Sequence, residues 1–311
     1  MARWEKWLTE VGPDAPVAGA ARIALVMRLK AVEHFLKKAG QVSGKADEDA
    51  EAVHQLRIWT RRAAAALRLF ADVLPSKKAK WLKRKLKEIR HTAGEARDCD
   101  VLADRLESGD LPGLAPTAVH LRSRRKRAER RLAKTYKSLI RSRKFRRKSD
   151  KLLKTLDRPR SGKSERGANP VTFGPWCREQ LAPLANEFHK LATGDLSRDA
   201  KLHALRLAGK RLRYALELAP AALPAATHRR LYDELSDLQD RLGQVCDQIV
   251  AVKQLKELRD QARGESDRKE LRVAQGQQRK QLAAAKQQFR RWWSSKRRAT
   301  LRKSWERALR A

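Results

Sequence analysis

The stretch EAVHQLRIWTRRAAAALRLF, residues 51–70, decides how the chain is read. With His54 at 0° and 100° per residue, Leu56, Ala63, Leu67 and Phe70 fall between about 160° and 220°, one apolar face of an α-helix. Arg57 and Arg61 fall at about 300° and 340°, beside His54 and opposite that face. None of the three basic residues has an acidic residue four positions away, the spacing at which charged helix faces neutralise themselves. The stripe therefore carries repulsion that an anionic ligand would relieve.

The same pattern returns 149 residues later. His54, Leu56, Arg57, Arg61, Arg62 and Leu67 become His203, Leu205, Arg206, Lys210, Arg211 and Leu216, one Arg-to-Lys exchange aside. Without a gap, Leu82, Leu86, Gly94 and Asp98 become Leu231, Leu235, Gly243 and Asp247. Such register, kept by scarce histidine and glycine, predicts two copies of one unit.

Long Ala-, Leu-, Arg-, Lys- and Glu-rich segments with helical periodicity, and few β-branched alternating runs, make the chain all-α. Helices are expected near 15–39, 47–73, 76–107, 115–157, 173–193, 198–219, 225–262 and 265–308. The halves are 15–157 and 171–308, four helices each, joined by the polar linker RPRSGKSERGANP at 158–170, within one domain spanning 1–311.

The charge of the whole chain points the same way as the stripe. Against 36 Asp and Glu stand 73 Lys and Arg, a formal net charge of +37, while 41% hydrophobic residues allow a sizeable core. Such a field attracts polyanions: nucleic acid, inorganic polyphosphate or an anionic surface. Cys99, Cys177 and Cys246, odd in number and without C-x-x-C spacing, read as packing residues in a reducing compartment. No apolar run approaches a membrane span and no export signal is visible, so a cytoplasmic location is expected.

Around the stripe, Lys83, Lys87 and Arg90 form another basic face at i, i+4 and i+7. Their counterpart segment carries Asp233, Glu234, Asp237 and Asp240 instead, so the first half is expected to hold more ligand contacts. Asp98 and Asp247, after the repeated glycines, suit holding an arginine or capping a helix. Glu95, Asp98, Asp100 and Asp104 lack a metal-binding motif, and no cofactor is expected. Trp292 and Trp293 read as packing side chains before a stacking platform. No P-loop or nucleophile elbow is present.

The elements VHQLRIWTRR and LHALRLAGKRLRYALE, followed at matched distance by GEARDCDVL and LGQVCDQIV, resemble the CHAD family, the conserved histidine α-helical domain. The resemblance covers about residues 15–308 and implies two pseudo-symmetric four-helix bundles around a basic central groove or channel. It implies binding of inorganic polyphosphate, with some members on polyphosphate granules beside other granule proteins. Carried over by residue, the implied site is His54, Arg57, Arg61 and Arg62 in the first copy, with His203, Arg206, Lys210, Arg211 and Arg213 in the second. Ala64 stands where the second copy has Arg213. The ExExK signature of the CYTH triphosphate tunnel domain found in many relatives is absent from the sequence.

Polyphosphate presents closely spaced charges without bases, which a ladder of Arg and Lys can match. Protonation of His54 and His203 would strengthen it below about pH 6.5. Non-specific nucleic-acid binding is the alternative, opposed by an aromatic content of 5% and the lack of stacking motifs. A polyphosphate-processing enzyme would need positioned carboxylates and metals. The expected protein is a binding module and not an enzyme.

Overall fold

A computed structural model describes residues 4–41, 46–107, 115–157, 171–262 and 264–310. Among them the chain is all-α, with no β-strand. The helices are α1 (Val17–Gly40), α2 (Ala46–Leu69), α3 (Ser76–Glu107), α4 (Ala115–Tyr136), α5 (Lys144–Leu153), α6 (Phe173–Ala192), α7 (Asp199–Leu216), α8 (Ala225–Gln261), α9 (Glu265–Trp292) and α10 (Ser295–Arg310). The expected linker at 158–170 lies outside the described residues.

Two of the expected helices are each broken in two. The segment 115–157 passes through a π turn at Lys137–Arg141, then bends where Arg143 adopts a left-handed φ of 55°. The Ser142 hydroxyl accepts from the Lys144 amide, restarting the helix as α5. Likewise 265–308 breaks after Trp292, and Ser294 Oγ accepts from the Arg297 amide at 3.3 Å to begin α10. A serine that can satisfy a free amide competes with helix continuation. The breaks fall at nearly equivalent places in the two copies, so α10 is the repeat counterpart of α5.

The residues form two compact units. Unit 1 comprises Met1–Asp104, Val119–Arg178 and Glu217–Ala222; unit 2 comprises Arg105–Ala118, Glu179–Leu216 and Leu223–Ala311.

In unit 1, α1 packs along α2 and against α5. Its core holds Leu25, Leu36, Leu56, Trp59, Leu67 and Phe70. The Phe70 ring stacks on Trp176 at 5.1 Å and on Phe173 at 6.2 Å, tying the start of α6 to the end of α2. Gly174 sits where a β-carbon would come within 3.1 Å of Pro13, and its amide donates to the Pro13 carbonyl at 2.7 Å. In unit 2, α8 packs against α7, α9 and α10 around Leu205, Leu212, Leu231, Leu235 and Leu242. Trp293 is buried there, stacked on Phe289 and Trp292.

Candidate polyanion site

The apolar arc of α2 buries Leu56, Ala63, Leu67 and Phe70, leaving His54 exposed and Arg57 and Arg61 half-buried on the other side. Arg57 reaches across to α3. Its Nη1 donates to the Gly94 carbonyl at 3.3 Å and lies 3.5 Å from Asp98 Oδ1. A β-carbon at Gly94 would stand 3.8 Å from that nitrogen. In unit 2, a β-carbon at Gly243 would stand 3.5 Å from Arg206 Nη2. The repeated glycine therefore marks where a stripe arginine lies beside the bare backbone of the next helix, within ordinary van der Waals reach of an added β-carbon.

The electrostatics of unit 1 record how closely the cations are gathered. Desolvation, followed by Arg61, lowers the Arg57 guanidinium below its ordinary value, partly offset by Asp98, with Arg97 adding to the repulsion. His54 is also lowered, first by desolvation; Glu51 opposes this, while Arg97, Arg57 and Arg61 push further down. Lys83 is lowered by burial and by Arg68. With His54 near Arg97, Arg57 on Gly94 and Arg68 near Lys83, α2 and α3 run antiparallel. That register sets Arg90 opposite Arg61, with Lys87 one turn along. His54 is thus harder to protonate in the free protein than an ordinary histidine.

Arg68 and Arg97 join the site beside Lys83 and His54, in addition to the residues expected from the sequence. Arg68 follows Arg61 by seven residues, at about 320° on the wheel that places Arg57 at about 300°. Arg97 follows Arg90 by the same seven. Helical spacing alone marked both.

Three of the expected ligand contacts have other occupations. Arg62 turns inward: its Nε donates to Glu217 Oε2 at 2.7 Å and its Nη2 to Oε1 at 3.4 Å, while its guanidinium lies 4.6 Å from the Trp59 ring centre. Glu217 is fully buried beside Arg28, whose pKa is lowered to about 10 by burial, against the raising effect of Glu217. Arg211, the repeat partner of Arg62, pairs with Glu187 at 2.6 Å. Both follow their histidine by eight residues, about 80° off the stripe. Arg213 donates to the Tyr232 hydroxyl at 2.7 Å and stacks on Tyr214.

What remains in unit 2 is shorter. His203 is exposed, and Arg206 and Lys210 are half-buried beside Cys246, whose thiol is raised by burial and opposed by both cations. Arg206 Nε is buried without a hydrogen-bond partner among the described residues. At the α8 positions matching Lys83, Lys87 and Arg90 stand Tyr232, Ser236 and Gln239. Asp233, Asp237 and Asp240 are exposed, and Glu234 pairs with Arg297 at 2.9 Å.

The acids near Asp98 are held by arginines: Glu95 by Arg131 at 2.7 Å and Asp100 by Arg125 at 2.7 Å. Among the described residues no group of three or more His, Cys, Asp or Glu could hold a metal. Asp104's side chain lies outside them. The three cysteines are free and buried, the Cys177 thiol pushed up to about 12 by burial. Trp292 is stacked on Trp293 and has the guanidinia of Arg241 at 4.7 Å and Arg297 at 4.3 Å from its ring centre. No helix among the described residues is long and apolar enough to cross a membrane.

A repeated histidine–arginine stripe, crossing a repeated glycine on an all-α frame, places the chain in a class, and the comparisons agree. The family model for the CHAD domain matches residues 26–256, and the chain belongs to that family. It is similar to an uncharacterized protein found in two strains of Mycobacterium tuberculosis, 32% identical over 212 residues. That match takes in 66% of this chain but 40% of the relative, so the chain spans well under half the relative's length. Its fold is similar to the crystal structure of the CHAD domain from the plant Ricinus communis, with TM-score 0.68, 23% identity, and 95% and 93% of the two chains covered. It is also similar to PptA from Streptomyces chartreusis, with TM-score 0.59, 18% identity, and 90% and 99% covered.

Proposed function

We propose that the protein binds inorganic polyphosphate along the basic stripe between α2 and α3, with His203, Arg206 and Lys210 as a second, smaller contact. The observation that carries this reading is the gathering of cations on facing helices: burial first, and then Arg61 and Arg97 at Arg57, Arg97, Arg57 and Arg61 at His54, and Arg68 at Lys83, disfavour the charged forms of these side chains, with only Asp98 and Glu51 opposing. Held that way, the guanidinia repel one another until a polyanion lies along them. Arginine suits phosphoryl oxygens through paired, charge-assisted hydrogen bonds. Membership of the CHAD family supports the same ligand.

The protein acts here as a binding module: the nearby carboxylates that could hold metals for phosphoryl transfer are neutralised by arginines. It associates with polyphosphate granules in the cytoplasm and meets other granule proteins there. Nucleic acid competes only through charge, because Trp292 is already engaged by Trp293, Arg241 and Arg297 and Trp293 is buried. Long-chain polyphosphate should displace charge-matched RNA and DNA from the purified protein well below equivalent charge. Equal displacement by all three would refute a polyphosphate-selective site.

A further inference from the structure

Where α8 meets α10 in unit 2, a cleft of about 350 Å³ opens, lined among others by Arg230, Glu234, Lys296, Arg297 and Thr300, over buried Leu231 and Leu301. The equivalent seam in unit 1 is different. There the counterpart of Arg230 is Trp81, with Lys148, the counterpart of Arg297, 5.9 Å from its ring centre. Leu82 and Leu152, the counterparts of Leu231 and Leu301, form the same buried floor. Exchange of an indole for an arginine that extends into solvent leaves unit 2 with a cationic hollow at a place where unit 1 has an aromatic ring.

We propose that this cleft binds a small phosphate of the orthophosphate and pyrophosphate class, as a second anion site distinct from the stripe. Arg297 is fixed in place: Glu234 takes one nitrogen at 2.9 Å, and the Trp292 face holds the guanidinium at 4.3 Å. Its remaining donors, with Arg230 and Lys296, set three cations against one carboxylate. Thr300 adds an exposed hydroxyl on the same wall; Ser304 is already spent on the Thr300 carbonyl at 3.0 Å. The volume lies at the small end of ligand sites and suits one or two phosphoryl groups. The excess of two positive charges matches a phosphate dianion, which the fixed guanidinium can grip through paired hydrogen bonds.

The inference concerns unit 2 alone and does not depend on what the stripe binds. Calorimetric titration of the full chain with pyrophosphate at fixed salt tests it, using wild type, Arg230→Trp, Thr300→Val and Arg57→Ala. Arg230 and Thr300 are both exposed, so their replacement leaves the core untouched. Saturable binding should weaken at least about tenfold in Arg230→Trp, which rebuilds the unit 1 arrangement, and about threefold in Thr300→Val. Arg57→Ala should stay within about twofold of wild type, and Arg230→Trp should keep its affinity for long-chain polyphosphate. Unchanged pyrophosphate binding in both cleft variants, a loss confined to Arg57→Ala, or no saturable binding to wild type would overturn the proposal. If wild type binds pyrophosphate in the cleft yet shows no preference for long-chain polyphosphate, the cleft stands and the stripe reading alone fails.

Discussion

Replacing Arg62 by alanine separates the cations that hold the fold from those that meet a ligand. In the sequence Arg62 stands beside Arg61 and looks equally available; in the structure it pairs with fully buried Glu217, at 2.7 Å through Nε. Two unit charges about 4 Å apart attract by about 4 kcal/mol at an effective dielectric near 20. Breaking a buried pair typically costs about 3–5 kcal/mol because the survivor stays uncompensated. Arg28 still neutralises part of Glu217 in Arg62→Ala, so the loss should be near the lower end, about 3 kcal/mol. Glu217→Gln leaves Arg28 and Arg62 facing each other without the carboxylate and should cost about 5 kcal/mol. Urea unfolding followed by helical circular dichroism reads this directly: with a slope of about 3 kcal/mol per molar urea, Arg62→Ala moves the midpoint down by about 1 M. Below that midpoint, its polyphosphate affinity should stay within about threefold of wild type. A shift under about 0.3 M, combined with an affinity loss as large as that of Arg57→Ala, would refute the reasoning and return Arg62 to the ligand site.

Asp98→Asn removes the carboxylate 3.5 Å from Arg57; because Asp98 is itself largely exposed, polyphosphate affinity should rise only about two- to fivefold, and a fall would mean that the carboxylate orients the arginine for binding. Each stripe cation changed to glutamine, at Arg57, Arg61 or Arg68, should flatten the plot of log affinity against log salt by about 0.7, the single-strand value; an unchanged slope would remove that residue from the site. Acid should destabilise unit 2 through His189, whose pKa is lowered to about 4 by burial and by Arg302, against the effect of Glu306. Its unfolded value lies near 6.5, so the unfolded chain takes up the proton first: this contribution is complete above pH 6.5 and lost toward pH 4. After allowance for solvent screening the loss is about 2 kcal/mol, and His189→Gln should remove that part of the acid slope in urea midpoints measured between pH 7 and 4.

The all-α fold and the repeat were legible because both rest on spacing: leucines on one arc of α2 and α7, and a glycine held 37 residues after an arginine in each copy. The purpose of that glycine was not legible, since it depends on which helix Arg57 and Arg206 cross. Nor was the fate of Arg62, because its partner Glu217 lies 155 residues away and only the folded chain brings the two together. Broken helices at Arg143 and Ser294 escaped notice for a local reason: neither site has a proline, and the serine caps compete with otherwise good helix formers. Arg68 and Arg97, by contrast, were within reach of the same seven-residue spacing that found their neighbours.

In the function proposed, the ladder on α2 and α3 in unit 1 and the shorter stripe on α7 in unit 2 each contact polyphosphate. The most direct measurement is the affinity of purified protein for long-chain polyphosphate, at two salt concentrations, for wild type, Arg57→Ala, Arg206→Ala and the double variant. A charge-assisted contact contributes about 1.5–3 kcal/mol, so each single variant should bind about 10- to 100-fold more weakly, with the larger loss at Arg57. Wild-type affinity in the double variant, at both salt concentrations, would show the stripes to be ordinary basic surface and contradict the account.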